Sequence, residues 1–491
     1  MFETKEAIGK ILFIISCFIC IFMIFSPLAN SLFHIDEFFT LSLIKYSINN
    51  AITITSYDVH PPLYYIILKI VTKILTLLNI NFNTIFVMKM MSVIPYILIL
   101  IISLTKIKKE YGWLTAGLMS FTVVAMPEFF YKYLFIRMYS WALFFLLISF
   151  VYLKDVITKS DMKSWIIFTA LTICCAYTHY FAALSSVIIY LILFVYILLN
   201  KDIDYDRFSE LKKWVISVIV IFISYIPWGL ILLNQISRVH QSFWVEPVTF
   251  ITIMDSLSYF MIPITCDDTL KIFSIIILFV LVGSIIYYYK NLNEKDNIYI
   301  VFGIFASFGT VLALIILSLT YKPVLLHRYL IPVIAVFWFS ISIFISKIEE
   351  KRLFAILLTL VLIMGSCSLF YSFEEAQNLS EIGSNNCKFI DGINNNDSVI
   401  IVDEIEIMQF GPNLNHAKIY INADSVNGVS FEDMKDVMDI HKLKDINQVV
   451  EENKDKKIYI ILHKKRSNLK CDIPKNNIYY IGLNNFYELD I

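Results

Sequence analysis

The chain has 491 residues, of which 58% are apolar and only 16% charged, with a formal net charge of −1 and a mean hydropathy of +0.70. Soluble domains run at about 45–50% apolar, so a single water-facing globule is excluded. No Lys/Arg cluster or nucleic-acid fingerprint occurs, which excludes a nucleic-acid partner.

Apolar runs long enough to cross a bilayer recur along the first three quarters of the chain. The first, residues 11–29, is longer than a signal-peptide h-region, and "SPLANS" is a poor cleavage site, so a retained first span is expected. It carries Cys17 and Cys20, which like Cys174, Cys175 and Cys367 lie in apolar runs and read as small buried hydrophobes. The CxxC spacing of the first two lacks the polar surroundings of a redox or zinc site. Cys266, Cys387 and Cys471 fall in polar segments, and a Cys387–Cys471 disulfide stays open.

Two polar runs follow in close succession. "FHIDEFF", residues 33–39, sets Asp36 and Glu37 among three phenylalanines. Aromatic neighbours put this acid pair at the membrane interface, where a carboxylate is costly unless it has a partner or a task. "SYDVHPPLYY", residues 56–65, adds Asp58 and His60. Pro61 and Pro62 suit the first turn of a helix and force residue 60 into an extended conformation, so the unit reads as a rigid loop that presents both side chains.

The segment after it, 61–80, is apolar enough to span but carries Lys69 and Lys73 one helical turn apart. With this segment lying along the outer interface as an amphipathic helix, further spans fall near 83–104, 113–130, 138–153, 164–181, 183–199, 214–233, 270–289, 298–319, 329–346 and 353–371. Together with the first, that makes about eleven spans. Lys and Arg then favour the cytoplasmic loops by roughly three to one. If 61–80 spanned instead, "TKIKKE" and "SELKK" would face outward, against the positive-inside rule. The N-terminus is therefore expected inside the cell and the C-terminal segment outside.

This topology gathers the two acidic runs on the outer face with "YKYLFIRMYS" (Arg137, Tyr139), "YTHYF" (His179), the 235–269 loop and "LLHRYL" (His327, Arg328, Tyr329). Arginine forks match phosphate oxygens, carboxylates can serve as bases, and imidazoles can contact phosphate or metal. A lipid-anchored, phosphorylated substrate fits such a face. Beyond residue 373 the composition turns rich in Asn, Asp and Lys. The runs "SVIIVD", "AKIYIN", "KIYIILH" and "NIYYIGL" alternate with helix-compatible stretches such as "FEDMKDVMDIHKL", which predicts a small α/β domain. The expected organisation is a membrane domain over 1–372 and an extracytoplasmic domain over 373–491.

The order of motifs, an Asp-Glu pair after the first span, Asp-x-His-Pro-Pro-Leu-Tyr-Tyr, Arg-Met-Tyr, Thr-His-Tyr and Arg-Tyr-Leu-x-Pro, resembles glycosyltransferase family 39. That group includes protein O-mannosyltransferases and aminoarabinose-transferase-like proteins of the GT-C superfamily. The resemblance covers roughly residues 10–345. It implies a polytopic α-helical membrane enzyme with a GT-C-like fold and a polyprenyl-phosphate sugar as donor. The acceptor would be a protein, a lipid or a wall glycan. It implies Asp36 as general base with Glu37 beside it. Asp58, His60, Arg137, Tyr139, His179, His327, Arg328 and Tyr329 would contact substrate. A divalent metal ion is the one cofactor such a site admits, with Asp36, Glu37, Asp58 and His179 as candidate ligands, and no nucleotide cofactor is implied. The sequence departs from many relatives in lacking an acid immediately before Arg-Met-Tyr. A multi-pass transporter or flippase is the main alternative, yet no matched pair of Gly/Pro-broken spans marks two halves. A polymerase or ligase of surface glycans would carry its main loops later in the chain.

Overall fold

The computed structural model describes residues 2–200, 206–241, 245–292, 294–404, 406–463, 475–481 and 484–489. Cys471, and with it the Cys387–Cys471 pairing, lies outside the described residues. The chain divides into two compact units. The first comprises Met1–Ala29, Met90–Leu134 and Met138–Ala376, and the second Asn30–Lys89, Phe135–Arg137 and Gln377–Ile491.

Nine helices of the described residues are long and apolar enough to cross a membrane, and the shorter apolar helices Trp113–Val124 and Met162–Thr178 accompany them. These elements fall where the sequence places its eleven spans. The protein is a multi-pass membrane protein. In the first unit, helix α1 (Phe2–Phe25) crosses Trp113–Val124 with backbone against backbone. A Cβ on Gly9 would stand 2.2 Å from the Trp113 carbonyl oxygen, and one on Gly117 would stand 2.0 Å from that of Gly9. Small residues at a crossing allow this approach, as they do between helices in lipid generally. The helix His327–Lys347 lies at the centre of the unit, 94% buried, whereas Arg207–Arg238 is only 11% buried and turns Phe222 and Leu230 outward. Lys5 holds the end of the central helix, its Nζ donating to the carbonyls of Ser346 at 2.8 Å and Ile348 at 2.6 Å. A lysine there satisfies carbonyls that helix geometry leaves unpaired.

The second unit opens with three short helices, α2 (Ile35–Leu43), α3 (Ile48–Tyr57) and α4 (Leu63–Leu77). With 15 residues and a rise of ~1.5 Å per residue, α4 reaches about 22 Å, short of a hydrocarbon core of about 30 Å. It buries Tyr64, Tyr65 and Leu68 on one side and exposes Ile70, Ile74 and Leu77 on the other, as an interfacial helix should. Lys69 donates to the Ile44 carbonyl at 2.6 Å.

The C-terminal part of this unit is a six-stranded mixed sheet. Its strands are β1 (Ser398–Val402), β2 (Lys418–Ile421), β5 (Ile440–Lys442), β6 (Lys457–His463), β7 (Lys475–Ile481) and β8 (Asn484–Leu489), in the order β5-β2-β1-β6-β8-β7. A two-residue hairpin of β3 (Ser425–Val426) and β4 (Val429–Ser430) stands apart. Asn427 and Gly428 turn it, both at positive φ (50° and 75°), as a tight Asn-Gly hairpin requires. Strands β5, β2, β1 and β6 run parallel, and β8 pairs antiparallel with both β6 and β7. All five residues of β1 are buried, which is why it reads as an unbroken apolar run rather than an alternating one. Val399, Ile401, Tyr420, Ile458, Ile460 and Leu462 form the core on one face.

Two details differ from expectation. The stretch "FEDMKDVMDIHKL" is helical only over Phe431–Lys435 and then supplies edge strand β5, a segment too short for periodicity to declare. The last apolar helix does not stop near residue 371 but continues from Lys351 to Ile393, because its polar continuation lacks proline and carries good helix formers.

Candidate active site

Within the second unit, the acid pair sits in the first turn of α2. His34 caps the helix with extended backbone (φ −147°, ψ 153°), and its Nδ1 accepts from the Asp36 amide at 3.1 Å. Because Nδ1 accepts an N–H there, it carries no proton, and its 3.6 Å approach to the Asp36 carboxylate is not an ion pair. Glu37 reaches back from the third position to the amides of Phe33 at 2.5 Å and His34 at 3.3 Å, closing a capping box. Its other oxygen accepts from Lys89 Nζ at 3.1 Å and from the Ile136 amide at 2.9 Å. Glu37 and Lys89 are both fully buried, and the Lys89 ammonium lies 4.0 Å from the Phe33 ring centre. Four donors thus saturate Glu37, which braces the loop, while Asp36 keeps 27% of its side chain exposed. The two adjacent acids have different tasks.

The backbone just before α2 passes tightly under the long C-terminal helix. A Cβ on Gly383 would fall 1.5 Å from the Leu32 carbonyl oxygen. Gly383→Ala is expected to displace residues 32–33 and lower stability by about 1–3 kcal/mol, seen as a lower thermal midpoint of the detergent-solubilised protein.

Asp58 ends α3, and the two prolines stand just before α4, with Pro62 as its N-cap rather than within its first turn. Asp58 Oδ2 lies 2.9 Å from His60 Nδ1, and an Arg137 guanidinium nitrogen lies 3.2 Å from the same Nδ1. One ring nitrogen cannot donate to a carboxylate and accept from a guanidinium at once. Burial alone would raise the Asp58 carboxyl, but His60 and Arg137 outweigh it and hold the group below its ordinary value, so Asp58 is the acceptor and Nδ1 carries the hydrogen. For His60, burial pulls the imidazole below its ordinary value, Asp58 opposes this and Arg137 adds to it. The ring stays neutral, leaving Nε2 as an open lone pair. Acidification should therefore destabilise this loop. Protonation of the unfolded chain at His60 begins below about pH 6.5, and Asp58's contribution is lost below about pH 3.9. A thermal midpoint that falls between about pH 7.5 and 5.5, with the slope flattened in His60→Gln, is the expected result.

In the first unit a second polar cluster forms around Glu128, a buried residue with left-handed backbone (φ 57°). Its carboxylate accepts from Tyr259 Oη at 3.0 Å and lies 3.2 Å from Lys132 Nζ and 3.4 Å from His327 Nε2. Burial would raise this carboxyl, but Lys132 and His327 outweigh it and hold it well below the carboxylate range. His179 packs against Tyr139, Phe181 and Tyr329, its ring centre 5.5–5.8 Å from theirs, and Phe181 stacks on Tyr329 at 4.7 Å. Arg328 lies 5.8 Å from the Tyr329 ring.

The sequence-derived residues thus fall into two groups. His60, Asp58 and Arg137 meet, Asp36 and Glu37 share a helix turn, and all five belong to the second unit. Tyr139, His179, His327, Arg328 and Tyr329 belong to the first. Of the four candidate metal ligands, Asp36, Glu37 and Asp58 belong to the second unit and His179 to the first. Glu37 is saturated, Asp58 holds His60, and His179 is embedded among aromatic rings. Among the described residues no group of three or more His, Cys, Asp or Glu side chains converges. Sequence reading missed Lys89, Glu128, Lys132 and Tyr259. Glu128 is the acid of the loop preceding Arg137, nine positions upstream rather than adjacent.

No family model matches the sequence, and no curated protein matches it. Solved structures do match by fold. The crystal structure of ArnT from Cupriavidus metallidurans in the apo state superposes with a TM-score of 0.54 at 9% identity, covering 98% of this chain and 97% of that one. The same protein bound to undecaprenyl phosphate gives 0.51 at 8% identity, with 99% and 97% covered. From its membrane helices to its C-terminal sheet, the chain has an ArnT-like GT-C fold.

Proposed function

We propose that the protein is an integral-membrane glycosyltransferase that moves a sugar from a polyprenyl-phosphate donor to an acceptor hydroxyl on the extracytoplasmic face, with inversion at the anomeric carbon. The observation that carries this reading is the division of labour in α2, where Glu37 is locked by four donors and Asp36 stays partly exposed in the same turn. The fold likeness, which includes a structure with undecaprenyl phosphate bound, supports a lipid-linked donor. The charge distribution supports an N-terminus in the cytoplasm, a membrane catalytic domain over 1–372 and an extracytoplasmic domain over 373–491.

In this mechanism Asp36 takes the proton of the acceptor hydroxyl. The freed oxygen attacks the anomeric carbon as the bond from that carbon to the phosphate oxygen breaks. The electron pair leaves with the polyprenyl phosphate, and Arg137 meets the charge that develops there. The neutral His60 beside Arg137 avoids a second cation that would push the guanidinium away, and Asp58 fixes its ring. His327, Arg328 and Tyr329 are proposed as contacts to the sugar or acceptor.

The test is release of polyprenyl phosphate from synthetic polyprenyl-phosphate sugars by purified protein, with an acceptor panel and with or without chelator. Release that depends on Asp36 supports the transferase. Loss of release on chelation alone would assign a metal to the site. No release with any donor, while liposomes show the lipid moved between leaflets, would favour a flippase.

A further inference from the structure

Tyr65 of the "HPPLYY" run has no task in the mechanism above, yet its ring lies beside Arg137. It is 2% exposed, and its hydroxyl meets no hydrogen-bond partner among the described residues. A buried hydroxyl left unpaired costs about 1–3 kcal/mol, so such a group calls for an explanation. The ring cannot swing away to find one, because Phe39 and Tyr64 pack edge-on against it at 6.3 and 5.6 Å. The Arg137 guanidinium lies 5.9 Å from the ring centre. Burial, answered only in part by Arg137, keeps the phenol far above its ordinary value, with Asp58 and Asp36 adding to the rise. The hydroxyl is therefore a permanent neutral donor, placed among one cation and two carboxylates.

We propose that the Tyr65 hydroxyl is a substrate contact that donates a hydrogen bond to a phosphate oxygen of the lipid-linked donor, beside Arg137. A ligand group bound there has to accept from both a phenol and a guanidinium. Phosphate does both, and its negative charge suits Arg137. The inference rests on the lipid-phosphate reading of the site.

The experiment is Tyr65→Phe in the full-length protein. Binding of sugar-free polyprenyl phosphate and turnover of the sugar donor are measured, with the thermal midpoint alongside. Because the variant removes an unpaired atom and keeps the ring, the midpoint should hold or rise. A hydrogen bond to a charged group is worth enough to weaken polyprenyl phosphate binding about 10-fold or more, with donor turnover falling in parallel. Unchanged polyprenyl phosphate binding overturns the inference. So does a loss confined to the sugar donor, which would assign the hydroxyl to the sugar. A lower midpoint with unchanged binding would make Tyr65 purely structural. If wild-type protein neither binds polyprenyl phosphate nor turns over any donor, the functional reading itself fails.

Discussion

Asp36→Asn should abolish nearly all sugar transfer while leaving the protein inserted and folded. General-base catalysis is worth about 10²–10⁴-fold, and an amide cannot take the acceptor's proton. The local structure predicts that the loss falls on kcat. The His34 cap is made to the backbone amide of residue 36, which the substitution keeps, and the bracing of the loop runs through Glu37. Thermal midpoint and donor binding should therefore hold. Glu37→Gln should do the reverse, lowering the midpoint before it alters chemistry. A single-turnover assay beside a thermal melt separates the two acids. Equal activity in Asp36→Asn and wild type would remove Asp36 as base.

The largest effect on stability is expected at Lys89. Lys89→Met leaves the Glu37 carboxylate fully buried without its cation, and breaking a buried pair from one side costs about 3–5 kcal/mol. Since α2 hangs on Glu37, transfer should fall as well. The double variant Lys89→Met/Glu37→Gln should recover part of the loss, because no uncompensated charge remains. Recovery stays incomplete because one glutamine oxygen cannot replace the carboxylate toward the Phe33 and Ile136 amides. Thermal denaturation of all four forms gives the coupling energy directly. Additive losses would show that the pair does not act as a unit.

Much of this was legible in the sequence, and the reasons are specific. Spans announce themselves because every lipid-facing residue must be apolar, and the interfacial nature of α4 follows from loop charge. Two prolines after His60 fix where α4 begins. Partnerships across the chain leave no such trace. Lys89 reads as a lone cation in an apolar run, and its carboxylate lies 52 positions away. A lysine near a span end invites a search for a partner, but several acids qualify until the fold selects one. The cap of α2 was hidden for another reason: histidine is not among the usual capping residues, so "HIDE" does not read as a capping box. Glu128 leaves no signal because it stands nine positions before Arg137, among residues that read as the end of an apolar span. Edge strand β5 was invisible because a three-residue segment carries no periodicity.

One feature of the second unit bears on how the site comes into being. The loop that follows β1 seats itself on α2. Gln409 donates to the Ile35 carbonyl at 3.2 Å, Asn413 to that of Phe38 at 3.2 Å and to Ser42 Oγ at 2.8 Å, and Phe410 packs on Phe38. These bonds join residues about 370 positions apart in sequence. During synthesis α2 is made early, among the first helices to reach the membrane, while its seat is made near the end. Contacts of such long range form late, so the nascent chain can be fully inserted and still lack a finished acid loop. On this order of manufacture, the acid loop of α2 is completed only once the sheet has closed.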